Sequence, residues 1–79
     1  MALTDEQVAI LDIEGKHWRN VGSKEQAIRT RLGISATRYY QLLGHLVDDP
    51  AALERNPVLV NRLRRLRDAR RAARSVRTA

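Results

Sequence analysis

Between residues 24 and 47 two helical patterns meet at Gly33, and Ser35 stands where a second helix has to begin. That joint limits the possible folds more than any other stretch. Glycine closes a helix because it enters the left-handed conformation without a steric penalty. A serine just beyond it offers a side-chain oxygen to the first N–H groups of the next helix. Apolar positions around the joint agree with two helices packed across a turn, a helix-turn-helix. Counted from Gly33 they lie five before (Ile28), one before (Leu32), one after (Ile34), six after (Tyr39) and nine after (Leu42). The position four before is usually small where such helices touch. Here it is Arg29, next to Ala27, so helix 24–32 is expected to be rotated or shifted relative to the usual motif.

The remaining chain reads as further helices, and no stretch alternates with the period of a strand. Thr4 with Gln7 makes a capping box before a helix over 5–18, with Val8, Leu11 and Trp18 on one face, widened by Ile10 and Ile13. Gly15 weakens that helix. Ser23 with Gln26 makes a second box, which leaves "RNVGS" as a connection and starts the next helix at Lys24. After the joint, a helix over 36–47 turns Tyr39, Leu42, Leu43 and Leu46 inward and leaves Tyr40 outward, because two adjacent helical residues rarely share one buried face. "DDP" stops it, "AALER" forms a short turn or helix from Pro50, and Asn56 with Pro57 opens a last helix over roughly 58–74. Leu59, Leu63 and Leu66 carry its apolar stripe, thinning through Ala69, Ala73 and Val76. The fold class is all-α, a small helix-turn-helix bundle of four to five helices with a long arginine-rich C-terminal helix. Residues 1–66 form the helix-turn-helix domain and 67–79 its basic helix end or tail.

Seventy-nine residues support one modest core, which leaves no room for a two-lobed catalytic cleft. Cysteine is absent, which removes disulfides and thiolate metal sites, and the acidic N-terminal stretch does not read as a signal peptide. His17 and His45 stand alone as surface residues, and Asp48 with Asp49 reads as a helix stop. No nucleophile has a base partner and no glycine loop suits a phosphate. The expectation is a protein that is not an enzyme and needs no cofactor, metal, small-molecule substrate or membrane.

Charge is more telling. Residues 55–79 hold nine arginines (55, 62, 64, 65, 67, 70, 71, 74, 77) against Asp68 alone, a balance of +8, whereas 1–54 stand at −2. Guanidinium groups suit phosphates and base edges, so a polyanionic partner is expected, double-stranded DNA above all. Helix 36–47 is then the recognition helix, with Ser35, Ala36, Thr37, Arg38, Tyr40 and Gln41 as its groove-facing candidates. Gln41 can pair with adenine, Thr37 can touch a thymine methyl, and Arg38 can reach guanine or phosphate. Ser23 and Lys24 at one helix start, with Arg64, Arg67, Arg70, Arg71 and Arg74 on the last helix, complete the candidate DNA-binding set. The last helix either covers the core of its own chain or forms a homodimer seam through Leu59, Leu63 and Leu66.

Three segments, "GSKEQAIRTRLGISATRYYQLL", "NPVLVNRLRRLRDARRAARS" and "HW" at 17–18, together resemble a family of small actinobacterial proteins catalogued as a domain of unknown function. That family includes the GATC-binding nucleoid-associated protein type. The resemblance covers nearly the whole chain. It implies a small helix-turn-helix protein of the cytoplasm and nucleoid, a homodimer that binds duplex DNA at many chromosomal sites and organises the chromosome. It also implies that residues 35–41 face the groove. The alternatives are a local transcriptional regulator, or a helical module for protein or RNA without sequence-specific DNA binding.

Overall fold

A computed structural model describes the backbone of residues 2–78 and the side chains of residues 2–74. Five helices follow in order: α1 (Asp5–Gly15), α2 (Val21–Leu32), α3 (Ala36–Leu46), α4 (Pro50–Arg55) and α5 (Pro57–Thr78). No strand occurs among the described residues. Local chemistry sets most of the helix starts. Thr4 Oγ1 accepts from the Gln7 N–H at 3.1 Å while the Gln7 side chain accepts from the Thr4 N–H at 2.9 Å, a complete capping box. Asp49 caps α4 ahead of Pro50, and Asn56 accepts from the Leu59 N–H at 3.2 Å ahead of Pro57. In both cases proline occupies a first-turn position whose N–H would have no helical partner.

Three boundaries differ from the sequence expectation: α5 runs on to Thr78 rather than ending near 74, and the other two lie around α1 and α2. Helix α1 stops at Gly15, and Trp18 lies in the connection that follows rather than on the helix face. Its indole N–H turns back to donate to the Ile13 carbonyl at 2.7 Å, which satisfies one of the acceptors that a helix end exposes. The half-buried ring packs against the core from the loop. Helix α2 begins at Val21, not Lys24, because Asn20 is the cap: its side chain accepts from the Ser23 N–H at 2.8 Å. Asn20 and Ser23 both suit a cap, and the earlier one wins. Ser23 therefore lies inside the first turn, and its expected box with Gln26 does not form.

The joint at Gly33 matches its sequence reading. Gly33 adopts φ +68°, accepts no strain as a glycine, and donates its N–H to the Arg29 carbonyl at 2.9 Å. Ser35 caps α3 by accepting from the Arg38 N–H at 3.1 Å. A Cβ added at Gly33 would meet nothing within 4 Å, so only the backbone conformation opposes substitution. Gly33→Ala is expected to lower stability by about 1–2 kcal/mol, read as a shift in the thermal midpoint, with the core otherwise intact.

Ile10, Ile13, Ile28, Tyr39 and Val60 are fully buried, and Leu11, Leu43, Leu46, Ala52 and Leu59 complete the cluster. Leu32, Ile34 and Leu42 pack on it partly buried, so all five positions spaced from Gly33 face the core. Arg29 is exposed: the α2 register that buries Ile28 turns it to solvent, away from the helix contact. Helices α1, α2 and α3 pack on one another, while α5 packs on α4. Only the first turns of α5 enter the core. Leu59 and Val60 are buried and Leu63 partly so, but Leu66 is 48% exposed and residues 68–74 are all exposed. Leu59 thus belongs to its own chain's core and leaves the proposed dimer seam. Helix α5 runs unbroken through 66/67 and spans about 33 Å over its 22 residues, so its arginine-rich part is helical rather than a loose arm. Val76 and Arg77 fall outside the described side chains.

Candidate nucleic-acid interface

Capping by Ser35 and burial of Tyr39 and Leu43 fix which face of α3 meets solvent. The cap and the first two turns supply the surface: Ser35, Thr37, Arg38, Tyr40 and Gln41 are exposed, and Ala36 is half-buried. The tyrosines divide as the helix period requires, with Tyr39 at 0% exposure and Tyr40 at 46%. Their rings meet edge to face, centroids 5.0 Å apart and planes at 87°.

Beneath that surface lies a polar contact that joins three helices. The Tyr39 hydroxyl donates to Glu14 Oε1 at 2.8 Å, with the Ile10 carbonyl at 3.3 Å. The same carboxylate oxygen is ion-paired with Lys24. The Lys24 ammonium also sits 5.1 Å from the Tyr40 ring centroid and 5.7 Å from that of Tyr39, within cation–π range of both. Burial, reinforced by the Glu14 charge and its hydrogen bond, pushes the Tyr39 phenol well above its ordinary value. For Lys24 burial acts in the lowering direction, but Glu14 and Tyr40 outweigh it and the net shift is upward. No buried side-chain polar atom among the described residues lacks a hydrogen-bond partner.

The arginines of helix α5 differ in exposure. Arg64 is half-buried, and its Nε donates to the Val47 carbonyl at 2.7 Å at the C-terminal end of α3. Arg67 pairs with Asp48 at 2.7 Å and reaches Asp68 at 3.4 Å. The Arg67 hydrogen bond and charge hold the Asp48 carboxyl below its ordinary range. These two arginines fasten α5 to the end of α3. Arg70, Arg71 and Arg74 project beyond them, all exposed.

The candidate set therefore needs sorting. Lys24, expected to meet DNA, is held by Glu14 with its side chain only 17% exposed. Arg64 and Arg67 have structural partners within the chain. Ser23 is exposed, but its N–H is already given to Asn20. Three of the remaining candidates meet at a groove of about 500 Å³: Tyr40 of α3 lines it together with Arg70 and Arg74 of α5, and Leu43 and Leu63 line it too. Glu14 was not legible as part of this arrangement. The available signal was its position four residues after Ile10, which places a carboxylate on the buried face of α1.

Residues 2–75 match the family described as a protein of unknown function, DUF3263. The chain belongs to this family. No curated protein and no solved structure matches it. Family membership carries no chemistry, so the surface has to supply the functional reading. Among the described residues no three His, Cys, Asp or Glu side chains cluster as a metal site would need. His17 and His45 are exposed, and no described helix is long and apolar enough to cross a membrane.

Proposed function

We propose that this DUF3263 chain binds double-stranded DNA as a helix-turn-helix protein, with α3 in the major groove and the projecting part of α5 on the phosphate backbone. The observation that supports this reading is a groove lined by Tyr40 of α3 together with Arg70 and Arg74 of α5, so the two helices share a surface at Tyr40. Recognition helices read bases with their N-terminal turns, and Thr37, Arg38, Tyr40 and Gln41 occupy that position on α3. Arg38 and Gln41 supply the fork and the paired donor and acceptor that distinguish guanine and adenine. Arginine on a projecting helix supplies attraction that does not depend on sequence.

The sequence resemblance extends this reading to a nucleoid-associated role in the cytoplasm, with homodimers occupying many chromosomal sites. Of the expected seam, Leu66 remains exposed and Leu63 partly so, and a contact between copies would form there, midway along α5. Genome-wide occupancy separates the roles. Thousands of sites weakly tied to promoters support architecture, and a handful of strong promoter peaks support a local regulator instead.

Binding itself is tested by fluorescence anisotropy with a duplex selected by the protein from a random pool and with a scrambled duplex of equal length. Arg38→Ala and Gln41→Ala are each expected to narrow the preference for the selected duplex by about 5- to 100-fold, the worth of one good base contact. Their salt dependence differs, because only Arg38 carries a charge to lose. Unchanged preference in both variants would remove α3 from the reading role.

A further inference from the structure

The contact among Glu14, Lys24, Tyr39 and Tyr40 does more than complete a core. Tyr39 is fully buried and its hydroxyl anchors α3 to α1 through Glu14. Tyr40, the next residue, presents its ring at the surface, where the edge-to-face contact with Tyr39 and the Lys24 ammonium at 5.1 Å define its orientation. Lys24 is kept there by the Glu14 carboxylate. A lysine stem is flexible and its ammonium strongly hydrated, so without a counter-charge it moves toward solvent or a phosphate. Glu14 lies on α1, yet its carboxylate holds the ammonium that sits against the Tyr40 ring of α3.

We propose that Glu14 is a positioning residue for DNA reading: by holding Lys24 against Tyr40 it sets the orientation of that ring, and with it the sequence selectivity of α3. The assignment rests on the duplex-binding reading. It makes a specific demand, since removing the Glu14 charge frees a cation while loosening a reading element. Glu14→Gln keeps an acceptor for the Tyr39 hydroxyl and removes the charge that holds Lys24. Selectivity then falls while affinity for scrambled DNA holds or rises. A purely structural role weakens both duplexes in parallel.

The experiment measures the selected-to-scrambled affinity ratio and the salt slope for wild type, Glu14→Gln, Tyr40→Leu and the double variant. Glu14→Gln is expected to lower the ratio about tenfold, within the range of one base contact. Its slope on scrambled DNA steepens by up to about 0.9, one added phosphate contact from the released Lys24. In the Tyr40→Leu background Glu14→Gln is expected to lower the ratio no further, because the two residues act through one element. Lys24→Met provides the same selectivity test without the freed cation, and serves if Glu14→Gln does not fold. In the absence of DNA, the Tyr40 ring resonances are expected to move in Glu14→Gln and in Lys24→Met. An unchanged ratio, strictly additive effects, or parallel loss on both duplexes overturns the assignment alone. A wild type that fails to distinguish the two duplexes overturns the DNA reading, and the assignment with it.

Discussion

Replacing Arg70, Arg71 and Arg74 together by alanine is expected to weaken binding to selected and scrambled duplexes alike, by about 100-fold at about 0.15 M salt. The figure follows from counterion release. Each lost phosphate contact reduces the slope of log affinity against log salt by about 0.9, so three reduce it by about 2.7, which is roughly two powers of ten at that salt. These arginines are exposed and lie beyond the last partly buried position of α5, and circular dichroism of the variant checks that the fold is kept. Anisotropy titrations across a salt series check both the loss and the slope. A loss confined to the selected duplex would place base reading on α5 and contradict its assignment to the backbone. The choice of residues matters. Arg67→Ala would also break the contact with Asp48, and cutting the chain after Leu66 would remove that contact together with the projecting part of α5.

Tyr39→Ala carries the largest expected effect on folding. Its fully buried ring sits at the meeting of α1, α2 and α3, and removing such a ring typically costs about 3–5 kcal/mol. A chain of 79 residues has about 4–12 kcal/mol of stability in total, so the variant is expected to be largely unfolded or to melt at least about 12 °C lower. Tyr39→Phe keeps the ring and loses only the hydroxyl bond to the Glu14 carboxylate, an expected cost of about 1.5–3 kcal/mol. Thermal melts followed by circular dichroism distinguish the two. An alanine variant no less stable than the phenylalanine one would show that the ring is not the core's centre.

Alkaline titration gives an independent check on the same contact. The Tyr39 phenol is held protonated in the folded state, its pKa raised by burial first and Glu14 second. A raised pKa means that the folded chain retains a proton the unfolded chain releases. Its contribution is therefore fully present below about pH 10, the ordinary tyrosine value, and declines as pH rises above it. Wild type is expected to lose stability above that pH, and its advantage over Tyr39→Phe to shrink there. An advantage that persists unchanged to pH 11 would argue against a phenol held in this way.

Much of the helix layout was legible because each cap needs only a few neighbouring residues. Thr4 with Gln7, Gly33 with Ser35, and Asn56 with Pro57 each act within three residues, and all appear where the sequence places them. The start of α2 was not legible, since Asn20 and Ser23 are both competent caps three residues apart. Nothing local chooses between them. Trp18 was expected on a helix face because its apolar character was plain, whereas its indole bond to Ile13 depends on α1 ending early.

The division is sharpest among the cations. By itself the sequence determined an all-helical chain with a glycine joint, an outward Tyr40 and a concentration of arginine after residue 54, because helix capping, helical periodicity and composition are properties of short stretches. Which cations are paired inside the chain was decided only in three dimensions. Lys24 meets Glu14 across ten residues, Arg64 meets the Val47 carbonyl across 17, and Arg67 meets Asp48 across 19. A charge is neutralised by what stands within a few ångströms of it, and that neighbour is set by how the helices pack, not by the residues beside it in the chain.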